Sequence, residues 1–264
     1  MRPTHRPLFL LKSFARFVPA VTRAGIVSAE GGPRAALALT PNLARYWFTT
    51  AREVEQGAAA APERIALIDD TGVTTYRQLR DDSRTLAKWL LDVQEKRGLD
   101  ELRIGVMARN GRGIILPLAA KGYAGAHIFL LNIGSSPEQL AGIFAENDIN
   151  VLFIDDEFAD RLPADTANTA GITIVRAHED GGAGLSIGQV VRMDVDRQLP
   201  RWPKHGNLVL MSSGTTGIPK GIVRPEPRMP FVVAGYLEAI PWRAGDTVQL
   251  TASIFHTWGW SALQ

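Results

Sequence analysis

The chain of 264 residues contains no cysteine. Disulfides, thiol nucleophiles and thiolate-bound zinc are therefore excluded. No apolar run approaches the roughly 18–20 residues that a membrane-spanning helix needs. The apolar stretch at residues 8–11 is cut by Lys12, which makes it a poor signal-peptide core. Strong net charge is missing as well: 29 Lys and Arg face 27 Asp and Glu, a formal +2. Six of those cations and one acid fall in residues 1–40, so that segment carries +5 and the other 224 residues carry −3. A basic arm on a slightly acidic body argues against a nucleic-acid-binding surface. The five histidines show no metal-ligand spacing. What remains is ordinary globular usage, 45% hydrophobic and 21% charged, in a length that allows one large domain or two small ones. The simplest location for such a chain is the cytoplasm.

Residues 1–40 read as a basic N-terminal arm and residues 41–264 as the domain proper. In the arm, Leu10, Phe14, Phe17, Val18 and Val21 fall at helical spacing, with Lys12 and Arg16 off that face. Such a helix can lie on a membrane as a peripheral contact, or dock on the body of the protein. Pro19 is expected to interrupt it.

Thr40-Pro41 has the form of a helix N-cap followed by proline, which predicts a helix from there to about residue 60. Residues 65–69 and 73–76 read as two strands joined by the turn residues Asp70-Thr71-Gly72. Leu79, Leu86, Leu90 and Val93 form a helical stripe that Gly98 ends. Strands at 103–108, 127–131 and 151–154 then alternate with helices at 112–124 and 136–147. This βαβαβ order predicts an α/β fold with a parallel sheet and crossover helices. Residues 178–184 read as a surface loop.

The densest chemistry lies at residues 207–221. The apolar strand 208–211 runs into Ser212, Ser213, Gly214, Thr215, Thr216 and Gly217, followed by Lys220 and Gly221. Glycines let backbone N–H groups approach an anion, hydroxyls add donors, and a lysine neutralises charge. The spacing is not that of a Walker P-loop, because Lys220 follows proline and precedes glycine. By composition alone the segment could equally be a plain turn.

The string Ser-Ser-Gly-Thr-Thr-Gly-x-Pro-Lys-Gly resembles the signature loop of the adenylate-forming, AMP-binding enzymes, matching every fixed position. Three other stretches agree. Residues 62–79 look like the family's early hairpin and the helix start that follows it. Residues 103–158 look like its next block, with Leu131-Asn132 and Asp155-Asp156-Glu157-Phe158 in the manner of bacterial fatty-acid–CoA ligases. Phe255-His256-Thr257-Trp258-Gly259 stands about 35 residues after Lys220, where the family places its aromatic and histidine segment. The resemblance covers residues 45–264 and leaves out the arm.

The resemblance implies a partial N-terminal domain of the adenylate-forming fold, with mixed and parallel sheets. It also implies an acid–CoA ligase chemistry. A carboxylate and ATP give acyl-adenylate and pyrophosphate, and coenzyme A then displaces AMP. Ser213 to Gly217 would wrap the β- and γ-phosphates, with Ser212 and Gly221 flanking them and Lys220 countering their charge. His256 would orient the acid or close its pocket; the alternative is a histidine packed between Phe255 and Trp258. Trp258 and Trp260 would wall an acyl pocket or serve as core. Asp155, Asp156 and Glu157 read as a solvated strand end rather than a cation site. Arg224-Pro225-Glu226-Pro227 departs from the family where a helix should begin.

The family's adenine and magnesium motif, its ribose motif and its C-terminal lysine have no counterpart in these residues. Ala244-Gly245-Asp246 imitates the ribose motif but precedes the histidine segment, and fits a turn before another strand. The chain is therefore expected to be a truncated fatty-acid–CoA ligase, weakly active or inactive alone, with ATP, Mg2+ (lacking its ligand motif here) and coenzyme A as the implied cofactors. The alternatives are a non-enzymatic interaction protein or one part of a split ligase completed by another polypeptide.

Overall fold

The computed structural model describes residues 15–20, 22–24, 31–164, 166, 171–178, 183–211, 218–224, 231–240 and 242–263. Helix α1 (Gly32–Tyr46) begins after Gly31, with Pro33 in its first turn, and runs through Thr40 and Pro41. The expected cap at Thr40 is thus overturned. Gly31-Gly32-Pro33 carries the same start signal eight residues upstream. The carbonyl left without a helical donor by Pro41 belongs to Leu37, a residue that is 76% exposed. Trp47, at φ 49°, breaks the chain before α2 (Thr50–Ala60), so the single expected helix is two.

The hairpin of β1 (Ile65–Asp69) and β2 (Gly72–Thr75) leads into α3 (Tyr76–Lys96). Thr75 and Gln78 cap α3 reciprocally. The Gln78 N–H donates to Thr75 Oγ1 at 3.2 Å, and the Thr75 N–H donates to Gln78 Oε1 at 2.8 Å. The stripe residues Leu79, Leu86 and Leu90 are buried, and Gly98 ends the helix at φ 62°.

Next come β3 (Arg103–Met107), α4 (Arg112–Ala124), β4 (His127–Leu130), α5 (Pro137–Asn147) and β5 (Val151–Ile154). After a 3-10 turn (Asp156–Arg161) follow β6 (Thr173–Arg176), the short α6 (Ile187–Val190), β7 (Leu208–Met211) and β8 (Gly221–Arg224). These strands form one sheet in the order β6-β5-β3-β4-β7-β8. The first five run parallel and β8 is antiparallel to β7, so the sheet is mixed. Helix α4 is apolar on every face apart from Arg112 and Lys121, and all but its first and last residues are buried, with α3 packed against it. Its core includes Ile114, Leu118, Ile104 and Val106. Helix α5 covers the other face, where Leu140, Ile143 and Phe144 meet Phe129 and Leu152.

β8 was not anticipated: it carries only two apolar side chains, Ile222 and Val223, directly after the glycine motif. Beyond it lie α7 (Phe231–Ala239) and α8 (Thr257–Leu263). The turn at Ala244-Gly245-Asp246 is present, with Gly245 at φ 94° and the Arg243 N–H on Asp246 Oδ2 at 2.9 Å. Among the described residues no strand follows it, and residues 246–252 have no paired neighbour strand.

The described part of the arm packs on the body. Ala20 and Ala24 are buried, the Ala24 carbonyl accepts the Ala244 N–H at 2.6 Å, and Arg16 approaches Glu238. Pro19 lies inside helical residues 15–20 rather than ending them. Leu10, Phe14 and Val21 lie outside the described residues, as does most of the 178–184 loop. Among the described residues no helix is long and apolar enough to cross a membrane.

Candidate functional site

Strand β3 feeds α4 on one face of the sheet, and β4 feeds α5 on the other. The crevice beyond the carboxyl ends of two such strands is where open α/β sheets bind ligands. The loops that reach this edge are 108–111 after β3, 131–136 after β4, 155 after β5 and the glycine motif after β7.

Ser212, Ser213, Gly214, Thr215, Thr216 and Gly217 lie outside the described residues, but both flanks of their motif are fixed. Met211 and Gly221 are register partners across β7 and β8. The motif therefore leaves the sheet and returns to it at one point of the carboxyl edge. A Cβ on Gly221 would lie 2.7 Å from Val209 Cγ1, so the close return requires glycine. Lys220 is exposed beside it and Pro219 is buried.

His256 is exposed, immediately before α8. It is not sandwiched between Phe255 and Trp258. Its ring meets Phe255 at a centroid distance of 4.3 Å, while Trp258 is 62% exposed. Trp260 packs against the main core. Arg224, three residues past Gly221, donates to Thr257 Oγ1 at 2.5 Å. Strand β8, about 10 Å long at roughly 3.3 Å per residue, thus spans from the glycine motif to the neighbour of His256.

The segment leading to His256 is held by one side chain that the sequence did not single out. Asn110 Nδ2 donates to the carbonyls of Leu250 at 3.1 Å and Ala252 at 2.8 Å, and Asn110 Oδ1 accepts the Ile254 N–H at 2.9 Å. Asn110-Gly111 read locally as a plain connection. Its position, between a parallel strand's carboxyl end and a helix start, was the available signal.

Asp155 is not a solvated strand end: it is 2% exposed. Its Oδ2 accepts the Arg109 N–H at 2.7 Å, and its Oδ1 lies 3.2 Å from His178 Nε2. Burial raises its carboxyl above the ordinary range, against the pull of the Arg109 N–H. Asp156 pairs with Arg176, and Glu157 with Arg109 at 2.7 Å. On the other side of the loop, Asp69 Oδ2 accepts the Arg112 N–H at 2.7 Å. Burial works to raise the Asp69 carboxyl, but hydrogen bonds from Thr71 and Arg112 together hold it below its ordinary value. Gly111, at φ 148°, lets the backbone pass between these anchors. Among the described residues no three His, Asp or Glu side chains converge on a common point.

A cavity of about 170 Å³ adjoins the held segment, lined by Tyr236, Ile240, Trp242, Leu250, Ala252 and Trp258. A larger, open one of about 470 Å³ lies over α3, among Arg45, Arg84, Lys88 and Arg197, and takes in none of the residues singled out above.

The family described as AMP-binding enzyme matches residues 54–263. The mitochondrial malonate–CoA ligase of Mus musculus is 26% identical over 207 residues, covering 76% of this chain and 34% of that protein. A medium/long-chain-fatty-acid–CoA/3-oxocholest-4-en-26-oate–CoA ligase of Mycolicibacterium smegmatis is 25% identical over 177 residues, covering 64% and 32%. The chain thus spans about a third of the length of the curated relatives it matches. In fold it is similar to VinN bound to 3-methylaspartate, with a TM-score of 0.64 at 19% identity over 83% of this chain and 59% of that one. It is also similar to a benzoate CoA ligase from Burkholderia xenovorans, at 0.61 and 18% over 79% and 41%. The mixed sheet, its carboxyl-edge glycine motif and the matched span together establish that the chain belongs to the AMP-binding enzyme family.

Proposed function

We propose that the chain carries the phosphate-binding and acid-facing part of an AMP-forming acid–CoA ligase. The supporting observation is the pairing of Met211 with Gly221, which closes the glycine motif at the carboxyl edge beside exposed Lys220. Family members use ATP, Mg2+ and, in the CoA ligases, coenzyme A. Here Ser212 and Ser213 through Gly217, with Lys220, hold the nucleotide's phosphates and offset their charge. Donors of this kind act on charge that shifts during phosphoryl chemistry and form no bonds themselves. No Mg2+ site is assigned, since among the described residues no acidic cluster fits one.

His256 faces the acid's carboxylate, and Trp258 with Tyr236, their rings 6.4 Å apart, borders the adjoining apolar cavity. The acid is a fatty acid, a reading supported by the Mycolicibacterium relative and opposed by the murine malonate ligase. Within these 264 residues binding outweighs turnover, because no adenine or ribose motif accompanies the phosphate loop. ATP–pyrophosphate exchange tests this over a panel of medium- and long-chain fatty acids, benzoate and malonate. The expected result is exchange barely above background, highest with the fatty acids and abolished by Lys220→Ala. Robust exchange overturns the weak-turnover reading, and preference for malonate overturns the fatty-acid reading.

A further inference from the structure

The segment that ends in His256 is irregular and belongs to no strand. Among the described residues no strand pairs with residues 246–252, yet Ile254 and Phe255 are buried at 1% and 7% exposure. The carbonyls of Leu250 and Ala252 and the N–H of Ile254 belong to alternate residues of this segment. All three meet a single side-chain amide, that of Asn110. Both of its donor hydrogens and one acceptor position are used, so the amide takes the place of a strand edge.

Asn110 is itself held from both sides. The N–H of the preceding residue, Arg109, is bound by buried Asp155, and the N–H of Arg112, two residues on, is bound by Asp69. Gly111 between them leaves no room for choice: a Cβ there would lie 3.2 Å from Asp69 Oδ2, at a φ that favours glycine. Beyond Ile254 the path to His256 is short and stiff. The His256 N–H donates to the Ser253 carbonyl at 3.0 Å, and the Trp260 N–H donates to the His256 carbonyl at 3.0 Å.

We propose that Asn110, braced by Asp155 and Asp69, is the positioning residue for His256 at the acid-binding edge. The chemistry requires asparagine. Aspartate offers no donors to two carbonyls, alanine offers nothing, and glutamine is one methylene too long for the same fork. Asp155 thereby gains a role that neither metal binding nor solvation gave it: it orients the loop that orients the histidine segment. The assignment of His256 to the acid rests on the function proposed above; the clamp itself does not.

The test uses the full chain with Asn110→Ala, Asn110→Asp, His256→Ala and the Asn110→Ala/His256→Ala double variant. Amide hydrogen exchange is read at residues 250–256 against β3 and β4. Affinity is read with a fatty-acyl sulfamoyl adenosine, a non-hydrolysable mimic of the acyl-adenylate. Exchange at 250–256 is expected to quicken at least about tenfold in either Asn110 variant, with β3 and β4 unchanged, as loss of the shared hydrogen bonds implies. Affinity is expected to fall about tenfold in each single variant and no further in the double variant, since both changes remove one function. Unchanged exchange at 250–256 overturns the clamp. Losses that add in the double variant overturn its action through His256. If exchange quickens but the unaltered chain ignores the mimic, the proposed function fails and the clamp stands. Should Asn110→Ala unfold the chain, the near-isosteric Asn110→Asp carries the same comparisons.

Discussion

Gly221 faces Val209 so closely that a methyl group on its α-carbon would sit 2.7 Å from Val209 Cγ1. The closure of the glycine motif therefore depends on one missing side chain. Gly221→Ala is expected to destabilise the chain by about 1–3 kcal/mol through overpacking. Val209→Ala alone also destabilises, because Val209 is 5% exposed. In the double variant the smaller residue makes room for the larger, so the two losses should fall short of additive in chemical denaturation. Full additivity would place Gly221 away from Val209 in solution.

Asp69 ties the β1–β2 hairpin to the first turn of α4. Its replacement by alanine removes the acceptor for the Arg112 N–H and is expected to destabilise by about 1 kcal/mol, as for loss of a helix cap. The pH dependence has a definite sign. The folded carboxyl lies below its unfolded value near 3.8, so its contribution is present above that pH and is lost as pH falls through the folded value. Melting temperatures of the parent chain and Asp69→Ala should therefore converge in strong acid and separate above pH 4.

Glu53 works in the opposite direction. Burial pushes its carboxyl up to about 7, against the opposing pull of Arg52 at 3.0 Å. Between about 4.5 and 7 the folded chain holds a proton that the unfolded chain has released, so stability declines as pH rises through that window. Glu53→Gln should remove this decline. A thermal-melt series from pH 4 to pH 8 checks it: the parent slopes downward with pH and the variant stays flatter.

Much of this was legible locally. Helix α4 and β5 were bounded to the residue, and the Ser136 start was set by a side chain that bonds to backbone three residues away, whereas the strand expected over 73–76 stops one residue sooner because Thr75 caps α3. Where rules are that local, sequence suffices. The failures share a different cause. Thr40-Pro41 had the right form for a cap, but α1 starts at Gly32 and continues through it, past exposed Leu37. Asp155 read as solvated because nothing near it in sequence reveals that the Arg109 N–H, 46 residues upstream, covers it. Asn110 passed unnoticed because its partners lie 140 to 144 residues away. The glycine motif and His256 were visible as residue types; what fixes their surroundings is long-range.

The central claim is that residues 212–221 bind nucleotide phosphate. Calorimetric titration of the chain with ATP tests it most directly, alongside Lys220→Ala. Loss of one charge-assisted contact lowers affinity by about tenfold to a hundredfold, or roughly 1.5–3 kcal/mol. The account predicts saturable binding by the parent chain and that loss in the variant. A folded chain that takes up no ATP, or that binds it equally well without Lys220, would contradict it.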